Sequence, residues 1–378
     1  MSARADILII GAGIAGASLA WQLRGSGRVV LLEAEDTPAH HSTGRSAAVM
    51  TPYAGAPLTR AASLASRGFL NHPPEGFCDV PLTAPRGVLR LADAFGRERL
   101  EAALDEGLSQ GRMLRLVDRS EIAAMGLPIT GRVALGLHDG EPRDIDVDAL
   151  HRAYLRGSDA DLRLQSRVRD IRRAGSDWVV DTSRERLTAP IVVNAAGAFA
   201  DEVAQLAGLR PRGLTPCKRT IAHFECPGLS TGGWPLIADP DFSFYVTPES
   251  TGILVSPSDK TPAPPGEVWA DDLDIAVAVD RMQGWLDLNL RRPRASWAGL
   301  RSFFPDQDPL AGYDPEAEGF FWYAGQGGFG IQSSPALSRA AAAILRGDPV
   351  PADLAQAGLT RDNLSPSRLD TLSSKDLT

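Results

Sequence analysis

Apolar residues near the N-terminus fall in short continuous runs. Ile7–Ile10 is wholly apolar and stops at Gly11, and Val29–Leu32 is a second such run, closed by Glu33. Short apolar runs bounded by turn signals read as strands covered on both faces. Between them, Ala17–Leu23 continues as a helix that ends near Gly25–Gly27. Strand, glycine turn, helix and strand make a βαβ unit. Helical spacing recurs at Arg60–Phe69, Leu100–Leu108, Arg119–Met125 and Asp148–Leu155, whereas Val88–Leu91, Leu162–Val168 and Trp178–Asp181 read as strands. "APIVVNAAGAFADEVAQLAG" spells a strand, a small-residue turn at Asn194–Ala198 and a helix. From about Leu209 to Leu300 the pattern shifts to short strands, Pro-rich turns and aromatics, which predicts an antiparallel sheet. The α/β pattern returns at "GFFWYAGQGGFGIQSSPALSRAAAAILRG", and the polar stretch from about Thr360 is expected to be loosely held.

Length and composition narrow the picture. A chain of 378 residues with 43% hydrophobic and 23% charged residues fits an enzyme of two domains or one interleaved α/β unit. A net charge of -8 argues against a nucleic-acid partner. Cys78, Cys217 and Cys226 form no metal-ligand spacing, so no metal site and a reducing, cytoplasmic compartment are expected. Ile7–Ile10 is too short for a signal core or a membrane span, so no integral membrane segment is expected.

The first chemistry lies in the βαβ unit. Gly11, Gly13 and Gly16 spell G-x-G-x-x-G: a tight turn, close approach of backbone to a pyrophosphate, and close packing of helix on strand. Ile14 and Ala15 carry the turn into the helix, whose N-terminal amides face an anion. Glu33, with Ala34 behind it, ends the second strand about 20 residues beyond, where a carboxylate accepts ribose hydroxyls. The motif alone suits FAD or NAD. Its position at the extreme N-terminus, with sheet-like segments recurring near Val192 and Phe320, favours FAD.

Two loops stay open on composition. "HSTGRSAAVMTPYAG" suits either a solvated Ser/Thr loop or a loop pressed against a flat ring. "GQGGFGIQSS" suits either an ordinary helix start or amides aimed at a ring carrying negative charge. His40 and His41 are adjacent, and diverging side chains on a surface loop are expected.

"DILIIGAGIAGAS", "VVLLEAE", "HSTGRSAA", "VVNAAGAFAD", "WAGLRSFFPDQDPLAGY" and "GQGGFGIQSSPA" together resemble the D-amino acid oxidase superfamily of FAD-dependent oxidoreductases, and within it the D-arginine dehydrogenases. The likeness covers nearly the whole chain in order. It implies an α/β fold: a Rossmann-like FAD-binding domain assembled from residues 1–77, 143–208 and 301–360. An inserted α+β substrate domain with an antiparallel sheet takes 78–142 and 209–300, leaving 361–378 as a polar tail. FAD is expected to be noncovalent, because the covalent relatives use a cysteine in the last third and none follows Cys226. The resemblance assigns cofactor contacts to Ser42, Thr43, Arg45, Ser46, Ala47 and Ala48, then to Val168, Ala196 and Gly197. It assigns more to the late loop: Gly327, Gly328, Phe329, Gly330, Ile331 and Gln332.

For the substrate, the resemblance implies a carboxylate held by Arg219 and Arg301, with Tyr245 as hydroxyl donor and Thr51 and Tyr53 beside it. The planar arginine fork suits that task. The expected chemistry is hydride transfer from the substrate Cα to flavin N5, giving an imine that hydrolyses to a 2-oxo acid. The pocket wall is expected at Val49, Met50, Ala54, Val88, Leu236 and Ala238. There the chain departs from the D-arginine pattern. Val49 replaces a His, Ala54 a Tyr, and Val88 the acid that would meet a cationic side chain. A neutral or hydrophobic D-amino acid, or a metabolite bearing one, is therefore expected rather than D-Arg or D-Lys; Arg90, were it to face inward, would favour an acidic side chain. A 2-hydroxy acid, a secondary or cyclic amine, and a catalytically silent flavin-binding subunit stay open. So do oxygen or a quinone as electron acceptor, and a monomer or homo-oligomer.

Overall fold

The computed structural model describes residues 3–371. Its first layer is a six-stranded sheet in the order Asp161–Arg163, Val29–Leu32, Ile7–Ile10, Ile191–Asn194, Phe320–Ala324, Leu310–Tyr313. The first five strands are parallel and the last is antiparallel. Strands so far apart in sequence pair because each is an apolar run buried on both faces. The helices Ile14–Gln22, Pro57–Asn71 and Gly330–Arg346 cover one face, where Leu19, Ala62 and Leu337 pack against Ile9, Val193 and Phe321. On the other face, Trp178, Val180 and Leu187 of a four-stranded sheet meet Val192, Phe320 and Trp322. The single strand expected over Leu162–Val168 is two strands, Asp161–Arg163 and Val168–Ala174, in different sheets. The chain turns between them, with Gln165 at φ 54°.

The helix Pro57–Asn71 has no cap of its own at Ala56. Asp308 supplies one from a distant loop: its carboxylate accepts from the Thr59 amide at 2.9 Å and the Leu58 amide at 3.2 Å. A cap of this kind is worth about 1 kcal/mol.

The second layer is a nine-stranded sheet drawing on residues 88–139 and 215–303. It is antiparallel except that Leu236–Ala238 runs parallel to Val88–Ala92. Strand alternation gives it two unlike faces. Leu89, Phe224, Val246 and Val255 form one core with the helix Asp272–Gln283. Val88, Leu236, Ala238 and Tyr245 cluster on the opposite face, with Val49 packed on them. Ala295–Phe303 belongs whole to this sheet, so the domain boundary expected at 301 falls inside a strand. Val49–Met50, Arg143–Ile145 and Thr83–Pro85 form a small fourth sheet.

The end of the chain corrects an expectation. Residues 361–371 form a helix, Arg361–Leu364, and a turn, Pro366–Thr371, and are not a loose tail. Leu364 is fully buried, and the Arg368 guanidinium donates to Asp306 and to the Asp308 and Pro309 carbonyls. Residues 372–378 lie outside the described part. Among the described residues, no helix is long and apolar enough to cross a membrane.

Candidate active site

A cleft opens at the carboxyl ends of the parallel strands, lined by Ile10, Leu32, Ala195 and Gly325; its void, counted to the open mouth, is about 1450 Å³. This is where open α/β sheets bind ligands. The glycine turn forms one wall. Gly11 has φ 105°, and a Cβ there would lie 2.5 Å from the Ala195 carbonyl oxygen. A Cβ on Gly16 would lie 1.9 Å from the Gly11 carbonyl oxygen, so any side chain would push the helix off the strand. Gly13 has room, since its Cβ would meet only the Thr43 hydroxyl at 3.2 Å. Glu33 is buried and accepts from the Ala12 amide at 3.1 Å and the Glu35 amide at 3.0 Å. It thus holds the glycine turn, and each carboxylate oxygen keeps a lone pair for a ribose hydroxyl.

Ile14, Ala15, Ala34, Val168, Ala196 and Gly197 also line the cleft. Ser42, Thr43 and Arg45 line it too, but their polar atoms are largely engaged by protein. Thr43 Oγ1 accepts the Ile14 amide at 3.0 Å, and Ser42 Oγ donates to the Leu300 carbonyl at 2.7 Å. Arg45 donates to the Ala298 carbonyl at 3.1 Å and pairs with Glu267. The loop is therefore fastened to the strand Ala295–Phe303. Ser46, Ala47 and Ala48 are not on the cleft. They line a separate hollow with Arg86, Asp144 and Thr247. The cause is the pairing of Val49–Met50 with Arg143–Ile145, which turns the loop away.

The late loop divides in the same manner. Gly327 and Gly330 line the cleft. Gly328 lies against Arg301, where a Cβ would sit 2.9 Å from Nη1, and Phe329 packs beside Gly55. Ile331 joins the core around Met50, Leu70 and Tyr154. Gln332 grips Thr51 through both backbone atoms, accepting its amide at 2.8 Å and donating to its carbonyl at 3.3 Å. Its place inside a helix explains why it shapes the substrate loop and does not reach the cleft.

Some cleft residues had no sequence signal. Gly266 and Val268 line it from a segment without a motif, and Phe199 and Glu202 join it from the start of the helix that follows the Asn194–Ala198 turn. His40 and His41 do not diverge: their rings are 4.9 Å apart and both approach Glu267, at 2.9 and 3.5 Å. Beneath the glycine turn, buried His151 donates from Nε2 to the Ala12 carbonyl at 2.9 Å. Burial pushes its pKa below the usual 6.5, so the ring is neutral. Below pH 6.5 the unfolded chain takes up the proton first, so this contribution to stability is complete above 6.5 and falls as pH drops toward the lower folded value. His151→Leu is expected to leave the Ala12 carbonyl unpaired, at a cost of about 1–3 kcal/mol, and to flatten this acid limb. Melting of wild type and variant at pH 7.5 and 5.5 checks it; identical pH dependence would exclude the role.

The residues fit a dinucleotide: a helix N-terminus opens on the cleft, two glycines leave no room for side chains, and a buried acid stands at the second strand end. The family model "DAO: FAD dependent oxidoreductase" matches residues 6–344. The chain belongs to this family. Glycine oxidase of Geobacillus kaustophilus is 25% identical over 96% of this chain and 98% of that protein. Its crystal structure superposes with a TM-score of 0.81 over 95% of this chain and 99% of that one, at 22% identity. FAD-dependent oxidoreductase domain-containing protein 1 of Bos taurus is 26% identical over 90% of this chain and 81% of its own length. L-alpha-glycerophosphate oxidase of Mycoplasma pneumoniae, solved with FAD bound, has a TM-score of 0.78 at 18% identity over 91% of this chain and 95% of that one. The cofactor of this DAO-family protein is FAD. The narrower likeness to the D-arginine dehydrogenases is not shown by these relatives.

Beside the Gly327–Gly330 end of the cleft lies the expected carboxylate clamp. Arg219 pairs with Gly299 and Arg301 with Cys217, so the two arginines are diagonal neighbours on one sheet face. Arg301 lies next to Tyr245, with Arg219 and Asp259 close by. Burial pushes its pKa below the ordinary arginine value; Tyr245 and Asp259 oppose this and Arg219 adds to it. Arg219 donates from Nε to the Asp259 carbonyl at 2.7 Å, which turns its outer fork away from that bond.

The apolar wall is only partly as expected. Val49, Val88, Leu236 and Ala238 gather around Tyr245. Met50 does not belong to this wall: it is fully buried in the core with Ile14, Leu70 and Ile145, because a strand residue next to Val49 faces the other way. Ala54 closes a turn onto the Thr51 carbonyl at 3.0 Å. Tyr53 turns away from the clamp; its hydroxyl accepts from Arg67 at 3.5 Å and its ring lies 4.7 Å beneath the Arg112 guanidinium.

Proposed function

We propose that the protein oxidises a small D-amino acid whose side chain carries no positive charge, breaking the Cα–H bond and converting the amine to an imine. The observation that carries this is the convergence of Arg219, Arg301 and Tyr245 on one sheet face beside the cofactor cleft. FAD, when bound, accepts the two electrons of the Cα–H bond as hydride. The arginines take the substrate carboxylate in a planar fork and fix which hydrogen points toward the cleft. Their positive field also favours the neutral amine, whose lone pair closes the C=N bond. The N–H proton leaves to water, and hydrolysis of the imine gives a 2-oxo acid and ammonia.

Among the described residues, the two acids beside the Tyr53 loop already face arginines, and of the two only Glu141 keeps a buried oxygen without a hydrogen bond. Asp139 is held by Arg112 at 2.5 Å, and Glu141 faces Arg67 at 3.6 Å. Stranding a guanidinium without a carboxylate costs several kcal/mol, which corresponds to a preference of at least ~100-fold against D-Arg and D-Lys. The D configuration follows the sequence likeness. Anaerobic bleaching of the flavin absorbance with D- and L-amino acids, 2-hydroxy acids and secondary amines tests the reading. Faster reduction by D-Arg than by D-Ala or D-Leu, or reduction by hydroxy acids alone or by nothing, would overturn it.

A further inference from the structure

Arg90 sits in the strand Val88–Ala92, between Leu89 and Leu91, which are buried in the core of the large sheet's far face. Alternation therefore puts Arg90 on the same face as Val88, Ala238 and Tyr245. The register agrees: Arg90 pairs with Ala238, and Ala238 with Tyr245. Two strand spacings, about 10 Å, thus separate the Arg90 and Tyr245 backbones, with the Ala238 methyl in the strand between them and Val49 packed on the same cluster.

Arg90 is half-buried, yet among the described residues it has no hydrogen bond or ion pair. The charged groups around it are Arg112, Asp139 and Glu106. Asp139 is committed to Arg112 at 2.5 Å and to the Glu141 amide at 3.0 Å. Glu106 is exposed and holds Gln110 at 3.2 Å. A half-buried guanidinium left without a partner is costly, and a ligand carboxylate relieves that cost.

We infer that Arg90 receives a second acidic group, so that the substrate is an amino dicarboxylate gripped at one end by Arg219 and Arg301 and at the other by Arg90. This rests on the preceding reading of the clamp. The apolar side chains of Val88 and Leu236 then cover the carbon skeleton, and Ala238 leaves the space it occupies. The neutral or hydrophobic side chain expected from Val49, Ala54 and Val88 gives way to an acidic one because Val49 and Val88 pack beside Tyr245 while Arg90 lies one step further along the same face.

The test compares isosteric pairs on the FAD-loaded enzyme: D-Glu against D-Gln, and D-Asp against D-Asn. In wild type, kcat/KM for the better acid is expected to exceed that of its amide by about 100-fold, carried mostly by KM. Arg90→Gln is expected to collapse that ratio, and Arg90→Lys to restore part of it, with flavin absorbance and melting temperature reporting the fold of each. Equal or better use of the amides by wild type overturns the inference even if neither variant folds. An acid-to-amide ratio unchanged in a folded Arg90→Gln does the same. Reduction by monocarboxylic amino acids but not by either diacid removes the second acidic group and leaves the clamp standing. Failure of every amine to reduce the flavin removes both.

Discussion

Arg301→Met is expected to lower kcat/KM for flavin reduction by an amino acid about 1000-fold while leaving FAD bound. Truncating one member of a hydrogen-bonded charge pair costs several kcal/mol, because the partner charge is left without compensation. On the proposed clamp, the stranded partner would be the substrate carboxylate, and Tyr245 would lose its cationic neighbour at the same time. Arg301→Lys is a sharper probe, since it keeps the charge and loses the planar fork. It should recover part of the binding and little of the rate, because a point charge does not fix the Cα–H direction. Arg219→Met should do less harm, since Arg219 spends its Nε on the Asp259 carbonyl. Anaerobic stopped-flow reduction separates these effects. Wild-type saturation by substrate in Arg301→Met would exclude the clamp.

Arg212→Met is expected to destabilise the holoprotein by about 3–5 kcal/mol. Arg212 and Asp314 form an ion pair at 2.8 Å with both side chains only 2% exposed. Asp314 also accepts from Trp322 Nε1 at 2.9 Å, and Arg212 reaches Asp370 at 3.1 Å. Removing the arginine leaves a carboxylate buried between the cofactor sheet and the end of the chain. The pair need not be a net gain over apolar contacts. Arg212→Met combined with Asp314→Leu should therefore recover most of the loss. Urea denaturation of both variants decides the matter. A loss below about 1 kcal/mol in the single variant would mean that water reaches the site.

What could be read from the chain beforehand followed the range of the interactions. Gly11 and Gly16 were readable because their constraints come from backbone within a few residues and one neighbouring strand. The apolar runs were readable because a strand buried on both faces has few other compositions. Arg219, Arg301 and Tyr245 came from resemblance alone, and the register places them on one face. The hollow beside Ser46–Ala48 was not foreseen, because a two-residue strand pairing redirects the loop and so short a strand leaves no periodicity to detect. Met50 was misassigned because the strand direction at Val49 was not known. His151 and Gly266 were invisible, since nothing local requires them to meet a cofactor cleft. The tail was underestimated because one buried leucine and one well-bonded arginine anchor an otherwise polar segment.

The strand Ala295–Phe303 has a consequence for how such a protein changes over time. Gly299, Leu300 and Ser302 line the cofactor cleft, while Arg301 lies beside Tyr245 and Arg219. One strand thus contributes both to the cofactor cleft and to the proposed clamp. Inserting or deleting a single residue here would turn Arg301 to the sheet's other face and shift the cleft lining at the same time. New substrates are therefore reached by exchanging side chains at fixed positions such as 88, 90 and 238, while the length of this strand stays frozen.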